Sequence, residues 1–126
     1  MAKQAILTKK APQPAGPYSQ GLRAGGFIFV AGQTPFDPAT GKLAGQTIEE
    51  QTGRVLENIK AILEEAGSSM SQVVKTTVHL SDMSLFAGFN QVYERYFPDP
   101  KPVRTTVGSK LGGFLVEIDA IAVVSE

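Results

Sequence analysis

The chain contains no cysteine, and its only histidine is His79. Without thiols there is no disulfide, no thiolate nucleophile and no zinc site built on Cys ligands. With one imidazole there is no two-histidine relay and no His-rich metal site. An excess of either charge is missing too: 12 Lys and Arg balance 12 Asp and Glu over 126 residues. Proteins that grip the phosphate backbone usually carry a basic surplus, so nucleic acid is not expected as a main partner. No stretch approaches the ~20 apolar residues that a membrane-spanning helix needs, and "MAKQAILTKK" lacks the apolar core of a secretory leader. A membrane is therefore not expected as a partner either, and the expected location is cytoplasmic. Zero net charge removes the mutual repulsion that keeps copies apart, which permits self-association.

What is present reads as one soluble domain over residues 1–126: 42% apolar and 19% charged residues, at a length typical of a single core. "QAILT" (4–8) predicts a short strand. "GLRAGGFIFVAGQ" (21–33) predicts two strands around a Gly25-Gly26 turn. Thr47 and Glu50 form a capping-box pattern. Behind them Ile48, Val55, Ile59, Ile62 and Ala66 recur at helical spacing up to Gly67, which predicts a helix over 47–66. "QVVKTTVHL" (72–80) is β-branched and predicts a strand. A second helix is expected over 81–97, with Ser81, Asp82 and Ser84 as cap candidates and Pro98 as its stop. "VRTTVGS" (103–109) and "FLVEIDAIAVV" (114–124) complete the order β, β-β, α, β, α, β-β and read as a closing hairpin.

This order predicts an α+β two-layer sandwich, a sheet with both helices on one face. "VEIDAIAVV" is apolar on both sides of the strand apart from Glu117 and Asp119. A strand apolar on both faces is usually buried on both, so the second side of the sheet is expected to be covered by another subunit.

Candidate chemistry gathers near the C-terminus. In the hairpin reading, an even loop places Arg104 and Glu117 on one face of the sheet, and an odd loop separates them. Together they form either a structural ion pair or a site in which Arg104 grips a carboxylate and Glu117 handles a proton or a water. Asn90 lies on the helical stripe with Phe86, Tyr93 and Phe97, where a buried amide finds either backbone or a small polar ligand. His79 reads as a packed or solvated residue, with a pH switch as the rival. Neither glycine pair opens a helix, so no phosphate loop is expected.

The segments "GPYSQG", "FVAGQTPFDPATGKL", "QTGRVLENIKAILEEAG", "VVKTTVHLSDM", "FNQVYERYF", "PVRTTV" and "VEIDAIAVV" follow one another in this order. Together they resemble the RidA (YjgF) family of reactive-intermediate deaminases over nearly the whole chain. The resemblance implies a chorismate-mutase-like mixed sheet with two helices, a homotrimer with sites between subunits, and no metal or organic cofactor. The implied activity is hydrolysis of 2-imino or enamine acids to 2-keto acids and ammonia, a 2-iminobutanoate/2-iminopropanoate deaminase. By motif, Arg104 would hold the substrate carboxylate and Glu117 would orient the attacking water. Tyr18 would line the cleft, Asn90 would lie close to the ligand, and Gly32 would lend backbone to the pocket. Thr106 stands where the family often has Cys, and its backbone N–H is available to the carboxylate.

Two departures stand out. Ala31 replaces a Ser common in the family, removing one hydroxyl from the pocket wall. The "GSKLGG" connection is shorter than usual, which bears on where Glu117 sits along its strand. The alternatives to a deaminase are a non-catalytic, trimeric keto-acid-binding or regulatory module and, behind it, a ribonuclease. Pro14 and Pro17 also match a PxxP ligand. The opening "APQPAGPYSQG" reads instead as a stiff segment that presents Tyr18, because its three prolines restrict the backbone.

Overall fold

A computed structural model describes residues 2–124. Met1, Ser125 and Glu126, at the ends of the domain expected over 1–126, lie outside the described residues.

The most regular apolar spacing yields the longest helix, α1 (Ile48–Glu65). Thr47 is its extended N-cap: its hydroxyl accepts from the Glu50 N–H, and the Glu50 carboxylate accepts from the Thr47 N–H. Beyond the last turn Gly67 takes φ +80°, a conformation that L side chains resist. Val55, Leu56, Ile59, Ile62 and Leu63 are completely buried, and each such side chain stabilises the fold by roughly 1.5–3 kcal/mol relative to exposure. The second helix, α2 (Phe86–Tyr96), begins after a 3₁₀ turn at Met83–Leu85. Of the three cap candidates, Asp82 is the one that caps, accepting from the Ser84 N–H at 2.8 Å. The tighter first turn is why the α-helix starts later than the sequence pattern suggests.

Six strands form one mixed sheet: β1 (Gln4–Ile6), β2 (Gly21–Ala24), β3 (Phe27–Gln33), β4 (Val73–Leu80), β5 (Val103–Gly108) and β6 (Val116–Val123). Their order is β1-β2-β3-β6-β4-β5, with β4 and β5 parallel and every other pair antiparallel. Gly25 (φ 59°) turns β2 into β3 as expected. Ile28, Val30, Val78, Leu80, Ile118 and Ala120 on one face share a single core with α1 and α2. The expected α+β architecture is therefore what forms. Among the described residues, no helix is long and apolar enough to cross a membrane.

The expected closing hairpin does not form. β5 pairs with β4 alone, and β6 inserts between β3 and β4. The reason lies in α2. A helix between two strands carries the chain back along the sheet, so β5 returns parallel to β4. The 109–115 connection then crosses the end of β4 instead of turning tightly. The Ser109 N–H donates to the Leu80 carbonyl, and the Ser81 N–H donates to the Leu115 carbonyl.

This pairing decides which way each side chain faces. Thr76 is in register with both Arg104 and Ala120, whereas His79 is in register with Val107 and Glu117. In-register residues point the same way. Arg104 and Thr106 therefore lie on the helix-covered face, and Glu117 and Asp119 on the open face. The sharing of a face foreseen for an even loop is overturned, because the two strands never touch. The open face stays apolar in part: Phe27, Phe29 and Val107 are each about two-fifths exposed.

Candidate functional site

Arg104 rises from the edge strand β5 beneath α2. The helix repeat brings Phe86, Phe89 and Tyr93 onto one stripe, with Asn90 beside them. The guanidinium carbon lies 4.8 Å from the Tyr93 ring centre, 5.3 Å from Phe89 and 5.5 Å from Phe86. Its Nη1 donates to Asn90 Oδ1 at 2.9 Å. Among the described residues no carboxylate pairs with it, and this is its one side-chain hydrogen bond, so most of its five donors remain free. Tyr93 is tied down from behind, its hydroxyl 2.7 Å from Thr76 Oγ1 in a buried contact. Burial pushes the Tyr93 phenol above its ordinary pKa, against smaller opposing effects from the Thr76 bond and the Arg104 charge. The phenol thus stays neutral and does not cancel the arginine. Thr106 follows on the same face of β5, in register with Val78.

Glu117 belongs to a second cluster. Between Val30 and Gln33 the β3–β6 register slips, so Ala31 and Gly32 together stand opposite Asp119 in a bulge. The bulge brings the bare Cα of Gly32 against the Glu117 carboxylate, and a Cβ there would collide with Oε2. The carboxylate is half-buried and accepts no hydrogen bond among the described residues. His79 stands in register across from it, with Nδ1 2.7 Å from Ser109 Oγ.

Tyr18 joins this second cluster. A pocket of about 390 Å³ lies between the proline-rich segment and the turn after β3, and both Tyr18 and Gly32 line it along with Pro12, Phe36 and Asp37. The Tyr18 oxygen accepts from the Ala15 N–H at 3.1 Å, which leaves its own hydrogen free to donate. The segment is held by Gln20, which sequence reading passed over. Its buried side chain accepts from the Thr8 N–H and donates to the Thr8, Ala11 and Pro12 carbonyls. The signal was a Gln beside a stretch whose prolines cannot donate, where backbone carbonyls need outside partners.

The six site residues expected from sequence thus fall into two groups. Arg104, Asn90 and Thr106 lie under α2, while Glu117, Gly32 and Tyr18 lie around the β3 bulge. One chain does not bring the two groups together. Helical spacing alone predicts the aromatic stripe, and its contact with Arg104 becomes visible only once β5 lies beside α2. Among the described residues no cluster of three or more acidic or His side chains could hold a metal ion.

Comparison with known proteins adds to this geometry. The family model described as Endoribonuclease L-PSP matches residues 8–124. A RutC family protein of Pyrococcus abyssi is 56% identical over 124 residues, 97% of this chain and 98% of the relative. Reactive Intermediate Deaminase A of Arabidopsis thaliana, a chloroplastic protein, is 40% identical over 122 residues, 95% of this chain and 65% of the relative. The crystal structure of Escherichia coli TdcF with bound serine matches with a TM-score of 0.90 at 36% identity, over 97% of this chain and 99% of that one.

Proposed function

Because this chain belongs to the RidA (YjgF) family, whose L-PSP model spans nearly all of it, we propose that it hydrolyses small reactive 2-imino and enamine acids to 2-keto acids and ammonia. The observation that carries this reading is Arg104. A half-buried guanidinium with one amide partner and, among the described residues, no carboxylate partner is suited to binding an anion. A planar fork with free donors matches a substrate carboxylate. The serine bound in TdcF is a small carboxylate ligand in a chain of the same fold, which supports the same size class here.

The site is assembled between copies in a homotrimer. Arg104, Asn90 and Thr106 of one copy face Glu117, Gly32 and Tyr18 of the next, and the apolar open face of the sheet supplies the contact. The placement of the two clusters on opposite faces favours this arrangement over a site within one chain.

In the reaction, the carboxylate docks on Arg104 and fixes the iminium carbon. Glu117 takes a proton from water as the oxygen bonds to that carbon, and the C=N pair moves to nitrogen. Glu117 then returns its proton to the nitrogen. The C–N bond breaks as its electron pair leaves with the nitrogen, and the new hydroxyl gives its proton to the Glu117 carboxylate, leaving keto acid and ammonia; Glu117 then passes that proton to ammonia or solvent. Tyr18 donates a hydrogen bond to the forming oxygen. Orientation supplies most of the rate, because a protonated imine is already electrophilic.

The test generates 2-aminoacrylate in situ with a serine dehydratase and follows keto-acid release. The wild type should accelerate release, and Arg104→Ala should lose at least about 10²-fold in kcat/KM. Absence of any acceleration would favour a keto-acid-binding module instead. A ribonuclease reading draws only on the family description; the chain offers zero net charge and a single His bonded to Ser109.

A further inference from the structure

We infer that Tyr93, together with the rings of Phe86 and Phe89, is a positioning set that fixes the Arg104 guanidinium for its ligand. The inference rests on the reading of Arg104 as the carboxylate anchor and assigns to α2 a part in that site.

The geometry has three components. First, three rings of one α2 stripe lie along the guanidinium, their centres 4.8, 5.3 and 5.5 Å from it. Guanidinium donors point outward in its plane, so apolar walls block other orientations without occupying those donors. Second, Asn90 takes one N–H and sets the rotation of the plane. Third, the Tyr93 ring is itself immobilised. Its hydroxyl bonds to Thr76, the β4 residue in register with Arg104, so strand and helix are tied at the point where the arginine leaves the sheet. Tyr93 also packs between Phe89 at 5.3 Å and Phe97 at 4.6 Å, which fixes its tilt.

The energetic consequence follows from the length of the arginine side chain. A free arginine loses much rotamer freedom when it grips a ligand. Here that ordering is completed on folding, so binding does not bear its cost. Loosening the cage should therefore raise KM through this ordering cost and lower kcat through the poorer placement of the reacting carbon.

The experiment titrates pyruvate, which carries the carboxylate, and pyruvamide, which does not, into the assembled protein. Tyr93→Leu removes the ring and should weaken pyruvate about ten-fold, with pyruvamide unaffected. Tyr93→Phe keeps the ring and should stay within about three-fold of wild type. Both variants lose the Thr76 bond and should melt at lower temperature. If Tyr93→Leu melts early yet binds pyruvate like wild type, while Arg104→Ala loses it, Tyr93 is only structural and the inference fails. If Arg104→Ala binds pyruvate normally, the anchor reading itself fails. Should Tyr93→Leu not fold, Phe86→Leu replaces it, since Phe86 is 38% exposed and tolerates change. Weakening confined to pyruvate supports the inference there, and unchanged pyruvate binding overturns it.

Discussion

At the scale of single residues, Gly32 gives the sharpest expectation. Its missing Cβ is what lets the Glu117 carboxylate lie against the backbone of the β3 bulge. In Gly32→Ala the added methyl must push that carboxylate aside. A displacement of about 1 Å at a reacting group costs on the order of 10²-fold in rate. We expect that loss in kcat, read by the keto-acid assay, with melting temperature nearly unchanged because the site faces outward. Both residues could be named from their motifs, "AGQ" and "VEIDAIA". Their contact could not, because it depends on a register slip between strands some ninety positions apart in sequence. Asn90 was legible in the same limited way: its place on the stripe was visible, and its bond to Arg104 was not.

At the scale of elements, α1 was readable to within a residue at either end, since capping box, stripe and terminal glycine are all local signals. What joins α1 to α2 was not readable. The Tyr96 hydroxyl donates to Glu57 Oε2 at 2.7 Å. Burial, then the Glu57 hydrogen bond and charge, push the phenol up to about 12. An unfolded tyrosine ionises near 10, so the fold favours the neutral phenol. The stability this contributes is complete below about pH 10 and lost as pH rises through about 12. Denaturant titrations across that window should show a shallower alkaline decline for Tyr96→Phe than for wild type. Tyr93, also raised, keeps part of the slope in both proteins. An identical decline in the two would remove Tyr96 from the account. The closing hairpin is the converse lesson. Two adjacent strands in sequence look like partners until the helix before them has dictated a parallel return.

For the whole molecule, the separation of Arg104 from Glu117 makes a prediction that no single chain can satisfy. Arg104→Ala and Glu117→Ala should each be nearly inactive. Unfolded together in equal amounts and refolded, they should recover roughly a quarter of wild-type activity, since one site in four pairs an intact arginine with an intact glutamate from a neighbouring copy. Recovery of nothing would place both residues in one chain's site. The second apolar side of "VEIDAIAVV" was legible in the sequence, and among the described residues Ile121 and Val123 on that side stay only partly buried. The division of labour between faces was hidden in strand order. That same order bears on how the molecule is made. β6, the last of the six strands in chain order, lies between β3 and β4. Until it arrives those two strands have no ladder joining them, and the half-built sheet offers two open edges of the kind that pair promiscuously. Sheet closure therefore waits for a long-range contact, and a slow-folding, aggregation-exposed interval is built into the topology.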